Sequence, residues 1–163
     1  MTAPALAGLV DAWLRLPRAL RACVPLIGMA VLWWSSSRVP GDEPHSTARS
    51  LFHNSMHVIA YGCIGAAVWL AWSRRPAGEP QRFRSWGSWL VATAYGVVDE
   101  LHQSFVPGRD CSLFDLVSDA AGAALAVVLL RGIVGVSRSW RRDAWLFVGV
   151  GLVGVLTATF VSW

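Results

Sequence analysis

Five apolar runs recur along this chain, at about residues 20–36, 51–72, 86–105, 113–130 and 144–163, and short polar loops separate them. Crossing a hydrocarbon layer about 30 Å thick takes about 20 apolar residues in a helix, where every backbone polar group is satisfied within the segment. Mean hydropathy of +0.47 and a charged fraction of 15% fit such spans better than a soluble globule. The pattern predicts an all-α, polytopic membrane helical bundle with about five transmembrane helices, residues 1–163 forming one domain. The first run is short for a span, and snorkelling of Arg21 to the interface would lengthen it. Ahead of it, residues 1–18 place Leu6, Leu9, Val10, Trp13 and Leu14 at helical spacing opposite Asp11 and Arg15, which predicts a short amphipathic helix lying on the membrane and ended by Pro17. No A-x-A cleavage pattern follows the first run, so this segment is expected to be retained rather than removed as a signal peptide.

The basic residues are all arginine, and their distribution sets the expected orientation. Eleven of the fourteen fall on the amino-terminal segment and on the second and fourth loops, which five spans place on one side; only Arg38, Arg49 and Arg109 fall on the other. The positive-inside rule then puts the amino terminus in the cytoplasm and the carboxyl terminus outside. Topology and anionic lipid account for the net charge of +4, and no nucleic-acid partner is called for. Ten tryptophans fall mostly where apolar runs meet polar ones, as an interfacial belt requires. Cys23, Cys63 and Cys111 lack CxxC spacing and do not pair by number, so neither a zinc ribbon nor a disulfide framework is indicated.

Residues Asp99 to Asp119 hold five of the ten acids, on the shoulders of two apolar helices joined by a Pro107-Gly108 turn. Ionisable groups so placed are costly in hydrocarbon and point to a functional site. Counted inward from the outer ends at about 1.5 Å per residue, His57, Asp99, Glu100 and Asp119 lie at one level, roughly 6 to 9 Å down. His53, His57 and Tyr61 share one helix face; Asp99 shares another with His102 and Gln103; Asp115 and Asp119 share a third, continued by Gly122 and Ala126. Convergence of these faces would make an outward-facing pocket of imidazole, carboxylate and amide groups.

Plainer roles compete for several of these residues. Ser112 and Asp115 form an S-x-x-D capping box, Arg109 and Asp110 suit a solvated turn, and His57 suits a structural partner for Asp99 or Glu100. His45 and His53 lie nearer water. Gly149-Val-Gly151-Leu-Val-Gly154 matches G-x-G-x-x-G, yet it sits inside an apolar run with no strand before it, and its glycines are expected to serve helix packing. There is no P-loop, H-E-x-x-H or G-x-S-x-G elbow.

The string Asp99-Glu100-x-x-Gln103-x-Phe105-x-Pro107-Gly108-Arg109, followed by Ser112-x-x-Asp115 and Gly122 and preceded by His57-x-x-x-Tyr61, resembles the VanZ-like family of small bacterial membrane proteins, named for a member associated with teicoplanin resistance. The likeness covers spans two to four. The chain departs from it at His53-Asn54, where the family usually carries Asp-Lys, and at Asp119, usually Asn. The resemblance implies a multi-pass protein of the bacterial cytoplasmic (inner) membrane, acting in the cell envelope. Asp99, Glu100 and His57 are the candidate catalytic groups should the chain be an enzyme, with Gln103, Arg109, His102, Tyr61, Asp115 and Asp119 as candidate binding groups. Three functions stay open. One is binding or modifying the polar head of an envelope lipid, a lipid-linked wall precursor or a glycopeptide. Another is a metal-dependent hydrolase or transferase, with a divalent metal on His57, Asp99 and Asp119; the sequence requires no other cofactor. The third, a proton-coupled transporter subunit, lacks an acid in its inner half and an internal repeat, and would need a homo-oligomer.

Overall fold

A computed structural model describes residues 8–9, 12–41, 46–73, 81–109, 111–133 and 137–161. Among the described residues five long helices stand out: α1 (Arg18–Ser36), α2 (Thr47–Trp72), α3 (Gln81–Gln103), α4 (Leu113–Ile133) and α5 (Trp140–Phe160). No strand occurs among the described residues. The protein is an all-helical membrane bundle, and α1, α2, α4 and α5 are long and apolar enough to cross a membrane. Their outward faces carry Leu26, Ile27 and Trp34 on α1 and Trp145, Leu152 and Val153 on α5, all exposed, as contact with lipid tails requires.

α3 differs from the other four, and its sequence shows why. Ser85, Ser88, Ala92, Gly96, Asp99 and Gln103 recur every three or four residues, and all six are buried, while Leu90, Val97, Val98 and Leu101 are exposed. Its polar and small side chains therefore face the bundle and its apolar ones face outward, the reverse of a surface helix in water. That inward stripe, with Arg82 and Arg84 at the start, lowers its mean hydropathy below that of the other helices. At 23 residues it is about 34 Å long by helix rise.

α4 sits at the centre, packed against α2, α3 and α5, while α1 lies across α2 and α3. The closest approach is between α2 and α4. A Cβ on Gly122 would run into the backbone carbonyl of Val58, so only glycine lets the two backbones meet there, as the small-residue stripe on α4 predicts. Of the glycines in the rejected dinucleotide motif, Gly154 packs against Ser118 of α4 and Gly151 touches Ala121 and Val58, whereas Gly149 faces open space. Ile64, Val68, Ala92 and Ala123 form the apolar core at mid-height.

Cross-contacts show that successive helices alternate in direction. The start of α1 meets the end of α2, the ends of α1 and α3 meet, and the starts of α2 and α4 meet. Arg21 does not snorkel outward: it is buried, and its Nη1 donates to the carbonyls of Leu70 and Ser73 at 3.2 and 2.7 Å. A guanidinium on the carbonyl-rich end of α2 satisfies acceptors that the helix cannot, and it complements the helix dipole. Trp13 adds a donor to Leu70 at 3.2 Å. The rest of the expected amphipathic helix falls mainly outside the described residues, though Pro17 does separate residues 12–14 from α1.

Candidate functional site

Asp99 and Glu100 lie side by side on α3 but turn to different neighbours, since consecutive helical residues are about 100° apart. Asp99 points toward α1 and α2. Ser36 Oγ donates to its Oδ1 at 2.6 Å, and its Oδ2 accepts from Gln103 Nε2 at 3.1 Å and the Tyr61 hydroxyl at 3.3 Å. All four residues are buried. Three donors from three helices thus enclose this carboxylate, which is how an acid is made tolerable away from water.

Glu100 turns toward α4. Its Oε2 accepts the backbone N–H of Ser112 at 2.8 Å, while Ser112 Oγ accepts the N–H of Asp115 at 3.3 Å. The capping box expected at Ser112 and Asp115 is therefore shared between helices: Glu100, not Asp115, takes the N-cap N–H, and its charge lies at the positive end of the α4 dipole. Asp119, one turn beyond Asp115, is fully buried, and its Oδ1 is hydrogen-bonded to His57 Nδ1 at 3.0 Å. Gly96 makes room for it, since a Cβ there would lie 3.0 Å from Asp119 Oδ2 and 3.3 Å from the Tyr61 ring. His57, Glu100 and Asp119 each offer one ligand atom, all within 4.8 Å of one another. This set differs from the expected metal ligands: Glu100 stands where Asp99 was expected, because the oxygens of Asp99 are already engaged by the three donors around it.

A cavity of about 310 Å³ opens beside these groups, lined by Ser35, Ser36, His53, His57, Tyr61, Asp99, Gln103 and Arg109 and, on its apolar side, by Leu32, Met56 and Ala60. Arg109 reaches it from the Pro107-Gly108 turn, where Gly108 adopts a φ of 77°. The guanidinium donates to the carbonyls of Arg38 and Ser35 at 3.1 and 3.4 Å and to Gln103 Oε1 at 3.5 Å. These partners are neutral oxygens, so the turn is anchored rather than merely solvated. His53 packs edge-on against His57, ring centres 5.1 Å apart.

Of the expected site residues, His57, Tyr61, Asp99, Gln103 and Arg109 gather at the cavity, and Glu100 and Asp119 meet His57 just behind it. Two sit elsewhere. His102 stacks on Trp33 at 3.8 Å and pairs with Ser37 Oγ at 2.9 Å, docking α3 on the end of α1, and Asp115 stays at the start of α4. His45 and Asp110 lie outside the described residues. Sequence reasoning missed Ser35 and Ser36, which read only as the end of the first span. The signal was the Trp33-Trp34-Ser35-Ser36-Ser37 run, where hydroxyls follow the aromatic belt at the level of the acids.

A membrane bundle with carboxylates buried at one end beside a cavity lined by histidine, amide, hydroxyl and guanidinium groups is the class of protein these features define. The family model described as VanZ/LLP1 matches residues 20–135, and the chain belongs to that family. The match takes in α1 from Leu20 onward, α2 to α4 and every site residue named above, and α5 follows it. No curated protein and no solved structure matches the chain.

Proposed function

We propose that the protein acts at the outer face of the bacterial cytoplasmic membrane, where it binds the anionic polar head of an envelope amphiphile: an envelope lipid, a lipid-linked wall precursor or a lipid-bearing glycopeptide. In this reading all five helices cross the bilayer, with the amino terminus cytoplasmic as the arginine distribution requires, and the cavity opens outward. Membership of the VanZ/LLP1 family supports a cell-envelope role, and the association of that family with teicoplanin resistance makes wall precursors and glycopeptides the first ligands to test.

The observation that carries the reading is Arg109. Its guanidinium lies at a cavity edge, and among the described residues its partners are carbonyl and amide oxygens. A phosphate or carboxylate head would take its planar fork in two parallel hydrogen bonds, a geometry an ammonium does not reproduce. Leu32, Met56 and Ala60 offer the apolar wall against which the first part of a tail would lie. The test is binding of short-chain phosphatidylglycerol against short-chain phosphatidylcholine by the purified full chain in detergent micelles. We expect preference for the anionic lipid, weakened about tenfold in Arg109→Lys, a cost of about 1.4 kcal/mol. Equal binding by wild type and Arg109→Lys would falsify the assignment of the head to Arg109.

A further inference from the structure

We propose that His57, Glu100 and Asp119 bind one divalent transition-metal ion, of the Zn²⁺ or Mn²⁺ kind, between α2, α3 and α4. The proposal stands apart from the headgroup reading, since it concerns groups behind the cavity wall and is tested with the ion alone.

Two observations carry it. The first is geometric: the three ligand atoms lie within 4.8 Å of one another. Three such atoms all lie within about 2.8 Å of a common point, against the roughly 2.1 Å of a metal–nitrogen or metal–oxygen bond, so small side-chain rotations close the site. The 3.0 Å separation of His57 Nδ1 and Asp119 Oδ1 is also that of two neighbouring ligands on one ion. The second observation is independent of spacing. Glu100 Oε1 and Asp119 Oδ2 have no hydrogen-bond partner among the described residues, although Glu100 is 3% exposed and Asp119 0%. Buried polar atoms are nearly always satisfied, and a carboxylate left half-satisfied away from water is costly.

The donor set selects the kind of ion. One imidazole nitrogen and two carboxylates suit Zn²⁺, Mn²⁺ or Fe²⁺, whereas Ca²⁺ takes six or more oxygens and Mg²⁺ keeps several waters. Two carboxylates also balance the double charge, leaving the buried unit neutral with His57 uncharged. Glu100 is held on the N–H of Ser112, the kind of outer contact that orients a ligand. Because His57 also lines the cavity, an ion here would sit directly behind the wall of the proposed head site.

The experiment uses metal-free full-length protein in detergent micelles, titrated with Zn²⁺ and separately with Mn²⁺. One ion should remain per chain after desalting, and bound Mn²⁺ should show magnetic coupling to one histidine nitrogen. Glu100→Gln keeps an oxygen for Ser112, and Asp119→Asn keeps one for His57; each should weaken binding by more than about tenfold, the lower bound set by losses of outer contacts alone. Asp143→Asn, which alters an acid at the exposed start of α5 where it pairs with Ser139, should bind as wild type does. Absence of a stoichiometric ion or of nitrogen coupling in wild type overturns the proposal, whether or not the variants fold. So does unchanged affinity in both acid variants, or loss of the ion in Asp143→Asn.

Discussion

Asp99 and Glu100 are adjacent acids at one depth of one helix, yet they occupy opposite situations. Asp99 is enclosed by donors from α1, α2 and its own helix, whereas Glu100, among the described residues, has one backbone donor and one oxygen without a partner. Asp119 resembles Glu100, with one oxygen on His57 and the other unpartnered among the described residues. Burial is common to all three, so burial alone does not separate a fastening acid from a ligand-binding one. The number of donors does. Asp99 ties helices together, and the Glu100–Asp119 pair is left with capacity to hold something else.

Replacing Asp99 by Asn attacks the first half of that contrast and should give the largest effect. Its amide nitrogen would face a hydroxyl or amide donor in place of an oxygen, and the charge that shortens the Ser36 contact to 2.6 Å would be gone. Interhelical hydrogen bonds in membranes average only about 0.6 kcal/mol, but mispairing a buried donor adds about 1 to 3. We expect a loss of about 3 kcal/mol, measured as unfolding of the metal-free protein in mixed micelles. A loss below about 1 kcal/mol would show that the donors re-pair easily and that the distinction from Glu100 is weaker than the distances imply.

How much of this was legible beforehand follows from what each feature depends on. The helices and the common depth of His57, Asp99, Glu100 and Asp119 follow from apolar run lengths and from alternation of direction, both local properties of the sequence. Which acid meets which partner is set by rotation about each helix axis, and one turn of error moves a side chain to a different neighbour. Asp99 was therefore expected as a metal ligand and Glu100 was not, while Ser36, from the far end of another helix, was missed. Gly96 was likewise unread, because its role exists only where Asp119 and Tyr61 press against the same spot of α3.

Gly96→Val pushes on both situations together. Asp119 is held there by His57 and Tyr61 by its bond to Asp99, so neither neighbour yields freely to a Cβ 3.0 and 3.3 Å away. Overpacking of this kind costs about 1 to 3 kcal/mol, and the same displacement should weaken ion binding measured by titration. Lost stability with unchanged ion affinity would uncouple the two acids' surroundings, leaving Gly96 a packing residue for Tyr61 alone.

Glu100→Gln in metal-free protein tests the second half of the contrast, and the smallest change is expected. The amide oxygen replaces Oε2 as acceptor for Ser112, so the cap on α4 survives. Losing the charge at the helix amino terminus costs about 0.3 to 1 kcal/mol. Against that, the amide nitrogen that takes the place of Oε1 lies within reach of the Asp119 carboxylate and can donate to it, a gain of similar size and opposite sign. Thermal unfolding in the presence of a chelator should place the variant within about 0.5 kcal/mol of wild type, some sixfold less than the loss expected for Asp99→Asn on the neighbouring residue. Adding Zn²⁺ should then separate the proteins, stabilising wild type by mass action and leaving the variant nearly unmoved. If Glu100→Gln proves as damaging as Asp99→Asn without metal, Glu100 is a fastening acid too, and the unpartnered oxygen marks no site.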